Sequence, residues 1–231
     1  MTNPDSIEVL ADDIRAQMEM MNAARDTALS RSRELTRRCA AAIKAVHREN
    51  WQEAEQSLEV VREAANDLIQ GVKGYPDLFY SGYTQDALKE YVEAFATYAL
   101  VRDQQPPQPE ALGVPGSTYL NGLAEAASEL RRTILDIIRT GHSDEAERLL
   151  DAMDDIYNVL MTFDFPDAIT YGLRRRVDSL RGVLERTRGD LTNSLRQQRL
   201  QSALKALEQQ LHLNGEFSES LTLDEAEDSD E

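Results

Sequence analysis

The sequence has little of several things, and each shortage narrows what the protein can be. Only one cysteine, Cys39, stands in 231 residues, so neither an internal disulfide nor a thiolate metal cage can form within the chain. Runs of alternating β-branched residues are almost missing, and Leu, Ala, Glu and Arg far outnumber the 11 Gly and 7 Pro. That balance favours helix throughout and predicts an all-α protein. No apolar stretch approaches the roughly 20 residues of a membrane span, and the opening "MTNPDSIEV" lacks the basic and apolar regions of a secretion signal. The expectation is a cytoplasmic protein with no membrane partner. A Gly-rich phosphate loop, a dinucleotide fingerprint and a nucleophile elbow are also absent, which sets aside nucleotide hydrolases and simple esterases. His47, His142 and His212 are too far apart for a local metal motif and are expected at surfaces or helix ends.

Lysine is scarce too. Four lysines stand beside 21 arginines in a chain of net charge −17, a pattern that resembles proteins adapted to molar intracellular salt and points to a halophilic archaeal source. The charge is unevenly spread. Residues 214–231, "NGEFSESLTLDEAEDSDE", hold eight acids and no base, which leaves the remaining chain at −9. In molar salt the Debye length is about 3 Å, so a negative total repels a polyanion very little.

The apolar periodicity predicts a helical domain over 1–213 and a disordered acidic tail over 214–231. A long first helix is expected from about Ser6 to His47. Asn50 is placed to cap the second, with Glu53 three residues on to close a capping box, and that helix runs to the Gly71/Gly74 break. A third covers about Thr84 to Arg102, before the Pro-rich loop "QQPPQPEALGVPG". A fourth follows from Ser117 to Thr140, a fifth from Ser143 to Phe163, and a long last one from about Pro166 to Leu213. "RENWQEAEQSLEVV" and "RTGHSDEAERLLDAM" both place a basic residue, a turn and a Glu-Ala-Glu at the start of a helix, 92 residues apart, which suggests two related helical hairpins. In the last helix Leu173, Val177, Leu180, Leu184, Thr187, Leu191 and Leu195 alternate four- and three-residue spacings, a seam suited to another helix or another subunit.

Two kinds of charged constellation could carry chemistry. Arg33, Arg37, Lys44 and Arg48 fall in a sector about 60° wide on the first helix, and Arg174, Arg181 and Arg188 recur every seven residues on the last. Such arrays either bind phosphates, for which the planar guanidinium is suited, or balance acids across helix interfaces. The acids also come in pairs. In "YTQDALKEYVEAFATYALV" Glu90 and Glu93 lie opposite Leu88, Tyr91, Val92 and Phe95, and in "YLNGLAEAASELRR" Glu125 and Glu129 face away from Leu123, Ala126 and Leu130. They are either solvated helix faces or, converging from two helices, oxygen ligands for Mg²⁺ or Mn²⁺.

"RSRELTRRCAAAIKAVHR", "LKEYVEAFATYALV", "YLNGLAEAASELRR" and "DAMDDIYNVLMTFDFPDAITYGLRRRVDSLRGVLERTRGDLT", in that order, resemble the translin superfamily, and at the acidic positions the branch of translin-associated factor X (Trax). The resemblance implies a multi-helix translin-like bundle with long first and last helices, assembled into a closed shell, usually of eight subunits. It also implies binding of single-stranded RNA or DNA and, in the Trax branch, metal-dependent endoribonuclease activity. Carried over by position, the catalytic and metal-holding acids are Glu90, Glu93, Glu125 and Glu129, with Glu125 where the Trax branch has Asp. The alternatives are a non-catalytic single-stranded nucleic-acid binder of the translin type and an acidic helical scaffold that binds neither.

Overall fold

The computed structural model describes residues 4–224, with side chains described over 7–210. All the regular structure in that range is helical: α1 (Pro4–His47), α2 (Trp51–Val72), α3 (Pro76–Phe79), α4 (Gly82–Val101), α5 (Pro109–Leu112), α6 (Gly116–Ile138), α7 (Asp144–Leu160), α8 (Asp167–Thr170) and α9 (Leu173–Asp224). No helix among the described residues is long and apolar enough to cross a membrane.

The hairpin pair expected from the sequence is present. The chain reverses between α1 and α2 at Glu49, which takes the left-handed conformation (φ 55°). Asn50 then caps α2: its Oδ1 accepts from Glu53 N–H at 3.4 Å, and its Nδ2 donates to the Glu53 carboxylate at 2.7 Å. At the start of α7, Ser143 Oγ accepts from Ala146 N–H at 3.4 Å, and Asp144, Glu145 and Glu147 complement the positive helix end. Accordingly α2 packs on α1 and α7 packs on α6.

Each hairpin builds its own core. Leu35, Cys39, Val61, Leu68, Leu88 and Tyr91 lie within the α1, α2 and α4 cluster, whereas Leu130, Ile134, Leu149, Met153 and Leu180 belong to the α6, α7 and α9 cluster. Each fully buried Leu contributes about 1.5–3 kcal/mol of apolar burial. The two clusters meet where α4 packs against α6. That approach is close because residue 122 is glycine: a Cβ there would stand 2.6 Å from Val92 Cβ and 2.9 Å from Lys89 O. The contact brings the two helices that carry the paired glutamates together.

One expectation needs correction. The last helix does not begin at Pro166. Tyr171 (φ 51°) and Gly172 (φ 84°) are both left-handed, and Asp167 Oδ1 accepts from Gly172 N–H at 3.1 Å, so the short α8 ends in a turn before α9 starts at Leu173. Of the two partners expected for the leucine seam, another helix or another subunit, helices of the same chain take the place. Leu173, Val177, Leu180, Leu184, Thr187 and Leu191 are buried in this chain, because α6 and α7 present matching apolar faces to α9. The exposed apolar rows lie elsewhere: Ile7, Leu10, Ile14 and Met18 near the start of α1, and Leu200, Leu204 and Leu207 far along α9. Helix α9 continues past Leu213 to Asp224, and residues 225–231 of the acidic tail lie outside the described residues.

Candidate functional site

Glu90 and Glu93 on α4 face Glu125 on α6, and each can offer a carboxylate oxygen such that all three lie within 4.8 Å of one another. Glu93 is not on a solvated face. It is 8% exposed, and among the described residues its carboxylate has neither a hydrogen bond nor an ion pair. The reason is tertiary: α4 is packed by α1, α2 and α6, so the side opposite its apolar stripe is covered as well. Glu129 stands outside the group of three. It accepts from or shares a proton with His47 Nε2 at 2.6 Å, while His47 Nδ1 lies 3.3 Å from Thr133 Oγ1.

Cations from the protein occupy one side of the acids. Lys89, only 7% exposed, donates to Glu90 at 2.9 Å and also to Glu125. Arg176 on α9 donates from Nε to the other oxygen of Glu125 at 2.9 Å and from Nη1 to Asn121 Oδ1 at 3.1 Å. Both Glu125 oxygens are therefore held by cations, one from α4 and one from α9.

These contacts drive the carboxyl groups apart in acidity. Burial, reinforced by the charges of Glu90 and Glu125, pushes Glu93 up to about 8. Burial works the same way on Glu125, but the hydrogen bonds from Lys89 and Arg176 outweigh it and hold that group below the usual range. The His47 hydrogen bond lowers Glu129. For Lys89, burial disfavours the charge and the bonds from Glu125 and Glu90 more than restore it.

The donor set fits a small hard cation. Oxygen ligands converging from two helices suit Mg²⁺ or Mn²⁺, and Glu93 is a buried acid with no ion pair of its own among the described residues. The residues that would hold the ion are Glu90, Glu93 and Glu125, with Glu129 adjoining.

Comparison with known proteins bears on the fold and the family. No family model matches the chain. An uncharacterised protein of Methanocaldococcus jannaschii is 31% identical over 189 residues, covering 81% of this chain and 83% of the relative. The crystal structure of AfC3PO superposes with a TM-score of 0.74 at 33% identity, covering 80% of this chain and 96% of that one. AfC3PO in a complex with duplex RNA gives 0.73 at 34% identity, over 80% of this chain and 95% of its own. The chain belongs to the translin superfamily. A further member of this fold, apo-NeC3PO, superposes with a TM-score of 0.73 at 21% identity, over 84% of this chain and 99% of its own, a likeness of fold alone.

Within this translin-superfamily chain the basic arrays divide. Arg33, Arg37 and Lys44 on α1 and Arg48 just past its end are all exposed; Arg37 pairs with Glu34 at 2.7 Å, and the other three have no ion pair among the described residues. On α9, Arg181 pairs with Glu185 at 3.0 Å and Arg188 with Asp154 at 2.9 Å, while exposed Arg174 has no such partner. The sequence did not single out Lys89, Arg176 or His47 as site residues. His47 was assigned to a surface or helix end; it is the last residue of α1, but its side chain is 3% exposed because it turns inward onto α6. For Lys89 the signal was adjacency to Glu90, and for Arg176 its place in the arginine-rich run that begins α9.

Proposed function

We propose that this protein binds single-stranded RNA or DNA and cleaves RNA with Mg²⁺ or Mn²⁺ held by Glu90, Glu93 and Glu125. The observation that carries the reading is the convergence of three carboxylates at the α4–α6 contact, one of them buried and without an ion pair among the described residues. The relation to AfC3PO, a protein solved with duplex RNA, supports the nucleic-acid partner. A bound divalent ion supplies Lewis acidity toward a phosphodiester. Lys89 and Arg176 set positive charge beside the same carboxylates and favour a phosphate group there. Glu129, held by His47 and outside the group of three, is the carboxylate left to accept a proton from the attacking water. The unpaired cations of α1 guide the strand by its phosphates. We also infer a homo-oligomer of about eight subunits, as the superfamily resemblance implies, in which the exposed apolar rows of α1 and α9 are covered.

One observation favours a binding-only protein. Lys89 and Arg176 already satisfy both oxygens of Glu125, so protein cations stand where a metal would compete. Incubating labelled single-stranded and duplex RNA with Mn²⁺, Mg²⁺ or chelator in molar KCl separates the readings. Metal-dependent cleavage supports the nuclease, retention without cleavage the binder, and neither the acidic scaffold.

A further inference from the structure

Beside the acidic site a cleft of about 450 Å³ opens between α1, α4 and α9. Its lining includes Lys89, Glu90 and Arg176, so it adjoins the carboxylates. Its walls contain polar groups that the fold leaves unused. Ser32 is 4% exposed and lines the cleft, yet its hydroxyl has no hydrogen-bond partner among the described residues, and the same is true of the buried hydroxyl of Tyr83 on the facing helix. Buried hydroxyls are ordinarily satisfied, and leaving one unmet costs about 1–3 kcal/mol. Two unmet hydroxyls therefore belong to residues that line one cleft.

The remaining lining states the ligand's chemistry. Arg33 is exposed on α1 and has no ion pair among the described residues, so it offers two parallel donors to a phosphate. Asp86 supplies an acceptor for hydroxyl or amino hydrogens, and Leu29 and Ala87 add an apolar wall. Tyr83 lies in the first turn of α4, whose N-cap Ser81 directs its own hydroxyl to Leu78 O at 2.7 Å and Thr84 Oγ1 at 3.1 Å rather than to the first-turn N–H groups. A free guanidinium, an apolar wall and hydroxyl and carboxylate partners around a volume within about 300–1,000 Å³ suit a nucleotide-sized ligand.

We propose that this cleft seats one ribonucleotide of the bound strand, the one adjoining the phosphodiester presented to the glutamates. Arg33 takes its outer phosphate, and Ser32, Tyr83 and Asp86 take the sugar and base edges. The inference rests on the proposed nucleic-acid function of the same site, and it deepens that reading by adding a position that holds the strand in register for cleavage.

Equilibrium dialysis of labelled 5′-AMP tests it, with chelator present so that no metal contributes. One equivalent per chain is expected to bind, with inorganic phosphate much weaker. Arg33→Ala, Tyr83→Phe and Ser32→Ala should each weaken 5′-AMP by about fivefold or more, the loss of one hydrogen bond, while Arg139→Ala, on an exposed residue outside the cleft, leaves it unchanged. Circular dichroism and light scattering on the same samples confirm that the variants are folded and assembled. No 5′-AMP binding by the wild type, equal binding by all variants, or phosphate binding as tight as 5′-AMP would each overturn the proposal. Cleavage of RNA with Mn²⁺ is measured in parallel: absent cleavage with intact, variant-sensitive 5′-AMP binding supports the cleft and defeats the nuclease reading instead.

Discussion

Glu93 and Arg33 are both charged residues on well-formed helices, yet the protein treats them in opposite ways. Glu93 is enclosed by three helices with no ion pair among the described residues, whereas Arg33 stands in solvent in the wall of a cleft. A buried, unpaired carboxylate is costly and persists only where something else uses it. An exposed arginine costs almost nothing and is informative only through what it fails to pair with. The two basic arrays differ in degree: on α9, Arg181 and Arg188 are joined to acids and Arg174 is not, whereas of the first array only Arg37 is joined, and Arg33, Lys44 and Arg48 are not. The acidic centre is thus marked by burial, and the α1 surface by missing partners.

The comparison breaks most sharply at Glu93. Glu93→Gln keeps the shape and removes the charge, and we expect RNA cleavage to fall at least about 100-fold while RNA retention and assembly persist. The pH dependence of metal-free stability gives a second reading. Because Glu93 is raised from 4.5 to about 8, the native state holds a proton that the unfolded chain has lost anywhere between those values. Stability should therefore fall as pH rises across that window, by at most about 1.4 kcal/mol per pH unit from this group, and Glu93→Gln should flatten the slope. Glu125 and Glu129 are shifted the other way, so their contribution is present above the ordinary carboxylate range and is lost only in more acidic solution. Denaturant melts at several pH values check both.

Gly122→Ala attacks the geometry rather than the charge. The added methyl meets Val92 and the Lys89 carbonyl, so the α4–α6 contact must open, at about 1–3 kcal/mol of stability and with weaker Mn²⁺ binding. Gly189→Ala on α9 meets nothing within 4 Å and should instead stabilise by about 0.5–1 kcal/mol. Thermal melts of the two variants side by side show whether the close approach matters or any added methyl does.

Reversal of the exposed charges should have a milder effect. Arg33→Glu with Arg37→Glu should weaken RNA at moderate salt by about tenfold and make the dependence on salt shallower, as phosphate contacts are lost. The same double reversal at Arg181 and Arg188 should change affinity less, since both of those side chains are paired with acids, whereas of the α1 pair only Arg37 is. Titrations at three salt concentrations distinguish the faces, and equal losses would erase the distinction between α1 and α9. Smallest of all should be Glu125→Asp. One methylene fewer withdraws the carboxylate from Lys89 or Arg176, and the melt should show a loss of about 0.5–1.5 kcal/mol.

The helices and hairpins were legible because their signals are local. Asn50 with Glu53, Ser143 with its acidic first turn, and the apolar periods all act within one or two turns of chain. The glutamate pairs were legible as pairs, and the resemblance joined them. Their environment was not. Lys89 meets Glu125 across 36 residues, Arg176 meets it across 51, and His47 meets Glu129 across 82, separations at which no spacing rule operates. The burial of Glu93 was hidden for a similar reason: helical period shows that it lies opposite Leu88 and Val92, but only the arrangement of α1, α2 and α6 shows that this side is covered too. The break at Tyr171 and Gly172 was written in the sequence as a single glycine, too weak beside the long apolar seam that follows it.

Mn²⁺ binding, followed by electron paramagnetic resonance on the metal-stripped protein, tests the central claim most directly. The account predicts a saturable site on each chain that Glu93→Gln and Glu90→Gln each weaken by about tenfold or more, with Arg181→Glu leaving it untouched. Equal Mn²⁺ affinity in the wild type and both Gln variants, or no saturable site in the wild type, would contradict it.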